Sequence, residues 1–154
     1  KDSIDSQDNA ELTVEFNIKN QFSIDKYKII LKNVMKTIDE KKNYYGGVGT
    51  EVYMNGNSGV GTKLLPKSLV YVVINGRGDV YKNNKIIASD AFLQFFVTKG
   101  IRDENNHLLQ NAENEQDVEA YMIMPGKYGP EYKDLALELK FLHVLWNDVN
   151  LKFL

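Results

Sequence analysis

Residues 23–38 read SIDKYKIILKNVMKTI, and the period of their apolar positions decides the fold class. Tyr27, Ile30, Leu31, Val34, Met35 and Ile38 recur at i, i+3, i+4, i+7, i+8 and i+11, which is one face of an amphipathic helix. Ser23 stands where an N-cap belongs, and Asp25 would favour the positive end of the helix dipole. The spacing therefore predicts a helix of about four turns. Upstream, Leu12, Val14, Phe16 and Ile18 alternate with Thr13, Glu15 and Asn17, so residues 11–19 predict a half-buried strand.

Beyond a Gly- and Asn-rich segment at 44–62, with a short strand expected at 51–54, residues 69–74 (LVYVVI) form an unbroken apolar run. Such a run predicts a central strand covered on both faces. Asn75-Gly76-Arg77-Gly78 and Asn83-Asn84 then supply turn residues, which predict tandem hairpins. Ser89 begins a second, short helical pattern through Phe92, Leu93, Phe95, Phe96 and Val97, and Gly100 ends it. The polar stretch 101–117 predicts a mobile loop and 118–124 another strand. Pro130 opens a third helical pattern with Tyr132, Leu135, Ala136, Leu139, Leu142, His143 and Trp146 on one face. Residues 149–154 close the chain as a strand in which Val149, Leu151 and Phe153 alternate. The expected architecture is α+β: a mixed β-sheet with about three helices, mainly on one face. Residues 1–10 read as a flexible terminus and 11–154 as a single domain, with a core over 66–154 and an N-terminal β-α-β extension over 11–65.

Composition narrows the chemistry. The chain has 154 residues, 43% of them hydrophobic, and a formal charge of −2, so no global field favours nucleic acid. With Cys 0 there are no disulfides, thiol nucleophiles or thiolate metal sites. The segment Gly56-Asn57-Ser58-Gly59-Val60-Gly61-Thr62-Lys63 approaches a phosphate loop, but its Gly-Thr-Lys order reverses the Lys-Ser/Thr that holds phosphate and magnesium. Arg77-Gly78-Asp79 spells an adhesion tripeptide, which a turn between strands explains without a receptor. His107 lies in the polar loop and His143 on the third helical face, where a core or rim histidine is the simpler reading. The pairs Asp103/Glu104 and Glu113/Glu115 lie in a solvated stretch where nothing raises a carboxyl pKa. No catalytic residue, metal site or cofactor is expected, and the chain reads as no enzyme.

Three pieces of the second half resemble the periplasmic domain of the ExbD/TolR family. They are SLVYVVINGRGDVYKNNKIIASDAFLQFF, AYMIMPGKYGPEYKDLALELKFL and NDVNLKFL. In the family these correspond to a strand, turns and helix, then a buried strand and Tyr-led helix, then a closing strand. Tyr132 matches the family's frequent tyrosine at the helix start. The resemblance implies a non-catalytic interaction domain of an energy-transducing protein, coupling inner-membrane proton flow to envelope partners. Its implied partners are a proton-channel subunit, an envelope protein or peptidoglycan, and a second copy. Its implied location is the periplasm, anchored to the inner membrane by a segment outside this chain. The candidate interface comprises Val149, Leu151, Phe153 and Tyr132. A secreted or viral α+β binding protein and a small histidine-dependent enzyme are the alternative readings.

Overall fold

The computed structural model describes residues 8–35, 47–59, 63–64, 67–100, 118–125, 141–146 and 149. All regular structure among them is strand: β1 (Thr13–Lys19), β2 (Ile24–Val34), β3 (Val48–Met54), β4 (Ser68–Lys82), β5 (Lys85–Lys99), β6 (Val118–Pro125) and β7 (Phe141–Trp146). The α+β expectation is therefore overturned. The first helical pattern is β2, the second lies inside β5, and the end of the third is β7. The start of the third, including Tyr132, lies outside the described residues, as do the loop 101–117 and most of the strand expected at 149–154.

The strands pair antiparallel in the order β1-β2-β4-β5-β6-β7, with β3 also paired to β4. The 15-residue β4 organises the sheet. Its first half pairs with β3 and its second half with β2, so two shorter strands lie end to end along one side of it. Asn75 joins them. Its N–H donates to the Gly47 carbonyl (2.6 Å), and its carbonyl accepts from the Met35 N–H (2.9 Å). The turn expected at residues 75–78 is thus continuous strand. The actual β4–β5 turn is Asn83-Asn84, whose φ angles of 50° and 65° suit a two-residue hairpin. Asp8, in the segment read as flexible, is buried and accepts a hydrogen bond from the Val48 N–H (2.9 Å).

Burial follows the alternation of a pleated sheet. Val14, Ile29, Val80 and Ala88 are cross-strand partners in one line through β1, β2, β4 and β5, and each is at most 5% exposed. Leu93, Met122, Met124 and Leu142 extend this cluster across β5, β6 and β7, and Phe16 stacks on Tyr27 with ring centroids 5.2 Å apart. Because Phe95 joins this cluster while Phe96 joins a second one with Met54, Val70 and Val73, the two clusters occupy opposite faces.

The sheet curls toward the first face, which brings β1 near β6 and β7 although β2, β4 and β5 lie between them in sheet order. Gly76 and Gly78 sit on that concave face, in step with Val80. Without side chains there, the Leu31 side chain lies directly over Gly76. Ser89, expected as a helix start, forms a bulge together with Asp90 instead. Asp79 faces this extra pair, Asp90 has a φ of 57°, and its N–H donates to Asp79 Oδ1 (3.3 Å).

Asp25 ties the β1–β2 and β4–β5 turns together. It accepts a hydrogen bond from Asn83 Nδ2 (2.9 Å) and pairs with Lys82 Nζ (3.1 Å). The Asn83 hydrogen bond, and then Lys82, hold its carboxyl below the ordinary aspartate value. A depressed carboxyl pKa gives stability that is present above the unfolded-state value, near pH 4, and lost as pH falls through the lower folded value. The urea midpoint of the native chain should therefore exceed that of Asp25→Asn at pH 7. The gap should close on acidification below roughly pH 4. A gap independent of pH would show that the carboxylate is not the source.

Candidate functional site

The concave face holds a cavity of about 340 Å³ lined by Leu12, Thr13, Val14, Glu15, Phe95, Ala120, Trp146 and Val149. Its walls come from β1 on one side and from β5, β6 and β7 on the other. Leu12 and Val14 face it because β1 alternates. Leu12 and the first three residues of β1 reach it because this strand ends the sheet order and its edge forms part of the wall. Phe95 and Trp146 form its aromatic side, with centroids 6.3 Å apart and planes tilted by 55°. Trp146 is the only tryptophan in the chain. Among the lining residues, only Thr13 and Glu15 carry polar side chains, and Glu15 is engaged by Lys28 Nζ (3.3 Å). The arrangement offers apolar burial rather than reactive groups.

The residues singled out in the sequence are mostly not gathered here. Val149 lines the cavity, whereas Tyr132, Leu151 and Phe153 lie outside the described residues. His107 and the carboxylate pairs of the polar loop lie outside them too. His143 is on β7 and exposed, with its ring edge-on to Tyr121 at 5.7 Å; alternation from Leu142 and Val144 directs it to the convex face. Arg77 and Asp79 are not presented on a turn. Arg77 Nη1 donates to the Asp90 carbonyl (2.9 Å) and pairs with its carboxylate (3.2 Å), while Asp79 pairs with Lys32 (3.4 Å). The Gly56–Gly59 part of the phosphate-like segment follows the end of β3 as a turn, in which the Ser58 N–H donates to the Asn55 carbonyl (3.1 Å). Among the described residues, no group of three or more His, Cys, Asp or Glu could hold a metal ion.

Sequence reasoning did not pick out Leu12, Val14, Phe95, Ala120 or Trp146 as a site. The available signal was the one-sided alternation of Leu12, Val14 and Phe16, together with a single tryptophan far away in sequence. Comparison with known proteins finds no match: no family model, curated protein or solved structure is similar to this chain.

Proposed function

We propose that this chain is a non-catalytic binding domain whose concave cleft takes a small apolar ligand. The cavity between β1 and β7 carries the reading: about 340 Å³, apolar in most of its lining, with Trp146 and Phe95 along one wall. Its size is at the lower end of the roughly 300–1,000 Å³ of small-molecule sites. Burial of ligand hydrocarbon, at about 25 cal/mol per Å², is the available source of affinity. The resemblance to ExbD/TolR domains supports the same non-catalytic role. Its finer content, coupling of proton flow to envelope partners by an anchored periplasmic dimer, depends on pieces read with helices. Within the described residues those pieces run through strands, namely β4, most of β5 and β6 and the start of β7, and the binding role alone is independent of helices.

Trp146 provides the test, since the intrinsic tryptophan emission of the chain comes from the cavity wall. Titration with lauric acid should move the emission to shorter wavelength and saturate. Leu12→Lys, which puts a charge at a half-buried wall position, should weaken binding by about tenfold or more, the equivalent of 1.4 kcal/mol. An emission spectrum that does not respond to lauric acid in the folded protein would overturn the reading. So would equal affinity of Leu12→Lys and the native chain.

A further inference from the structure

The end of the sheet carrying the β1–β2 and β4–β5 turns has properties that the cleft does not explain. The β1–β2 turn is built around Asn20, whose Oδ1 accepts the N–H groups of Phe22 (2.9 Å) and Ser23 (2.8 Å) and the Ser23 hydroxyl (3.1 Å). The Asn20 N–H in turn donates to the Ser23 carbonyl (3.0 Å). This is an ordered turn, and it holds Phe22 out with 94% of its surface exposed. The neighbouring turn is fastened to it. The Asn83 N–H donates to the Lys26 carbonyl (2.8 Å), and the Lys26 N–H donates to Asn83 Oδ1 (2.9 Å).

Two further large apolar side chains, Ile24 and Ile86, are more than half exposed at this same end. Single exposed apolar residues are ordinary on a protein surface; three gathered around two interlocked turns are not scattered. Charge is concentrated there as well. Residues 16–28 and 80–88 contain five lysines (19, 26, 28, 82 and 85) against Asp25 alone, whereas the whole chain is at −2. Lys28 is engaged by Glu15 and Lys82 by Asp25. Among the described residues no ion pair engages Lys19, Lys26 or Lys85, and all three are exposed.

We infer that this end docks on an anionic lipid surface. Phe22 and Ile24 enter the headgroup region, and Lys19, Lys26 and Lys85 face the lipid phosphates. Phe22 projects from a turn tip, and Ile24 and Ile86 from the strand ends beside the two turns, a shape that enters a soft interface. The surrounding lysines complement a negative surface, as in other interfacial anchors that combine apolar insertion with basic residues. Three lysines near such a surface correspond to a preference for anionic over neutral lipid of about a hundredfold. Docking through this end leaves the cleft between β1 and β7 untouched, so it does not depend on what the cleft binds.

Cosedimentation of the full chain with vesicles tests the inference. Vesicles of phosphatidylcholine with about one-third phosphatidylglycerol should retain the protein, vesicles of phosphatidylcholine alone should not, and retention should fall as salt screens the lysines. Phe22→Ser should weaken binding about tenfold without affecting the fold, because that side chain is almost wholly in solvent. The triple change Lys19→Glu, Lys26→Glu, Lys85→Glu should abolish binding, and Leu12→Lys in the cleft should leave it unchanged. Equal retention by neutral and anionic vesicles, or retention that Phe22→Ser does not alter, would overturn lipid docking. Failure to bind vesicles, accompanied by self-association that Phe22→Ser abolishes, would overturn it too and make a second copy the occupant.

Discussion

Leu93→Ala is expected to lower the unfolding free energy by about 2–5 kcal/mol, toward the upper end of that range. Leu93 is fully buried on the concave face of β5. Its cross-strand partner on β4 is Gly76, which has no side chain to swing into the space that the leucine would vacate. The cost of a cavity depends on how far its walls collapse, and the space over Gly76 is already taken by the Leu31 side chain. Ile86→Ala, on the same strand but 53% exposed, should stay within about 0.5 kcal/mol. Urea denaturation of both variants gives the comparison. A loss at Leu93 no larger than at Ile86 would mean that the concave face is not the core.

The strands were legible where apolar and polar residues alternate or where an apolar run is unbroken. Residues 11–19 alternate and contain β1, and the unbroken run 69–74 lies in β4 between β3 and β5. The helical readings failed for a physical reason. Ile29-Ile30-Leu31 satisfies a period of 3.6 and a period of 2 at once, because Tyr27, Ile29 and Leu31 also alternate. Burial resolves the ambiguity: Tyr27 and Ile29 are in the core, while Lys26 and Lys28 between and beside them are exposed. The β-branched Ile24, Ile29, Ile30 and Val34 fit a pleated surface better than a helical one. What tips the balance is pairing with β1 and β4, and β4 lies about fifty residues away, so no local window contains it. Ser89 misled similarly, since a short polar side chain suits a helix cap, whereas here it precedes Asp90 in a positive-φ bulge. The cleft was less legible still. Leu12 and Trp146 come from opposite ends of the chain and meet through the curl of the sheet.

The glycines that permit this curl make the sharpest test of it. Gly78→Ala should destabilise the protein by about 1–3 kcal/mol, the range for forcing extra volume into a packed site. A Cβ at position 78 would meet the Ile30 carbonyl oxygen, the Ile30 carbonyl carbon at 3.0 Å and Leu31 Cα at 3.3 Å. All of these are backbone atoms, so no side-chain rotation relieves the contact and β2 itself must move. The approach is close because β2 bulges here: Leu31 pairs with Gly78 and Asn33 with Arg77, leaving Lys32 as the extra residue. Alanine would otherwise stabilise an extended glycine position by about 0.4–1 kcal/mol through the unfolded chain, so a net loss requires the steric cost to exceed that gain. Because β1 pairs with β2 and ends the sheet order, displacing β2 carries β1 and widens the cleft against Trp146. The variant should therefore show both a lower urea midpoint and an altered Trp146 emission, although position 78 does not line the cavity. A Gly78→Ala protein as stable as the native one, with unchanged emission, would mean that β2 does not press on β4 at the bulge and that the curl has another origin.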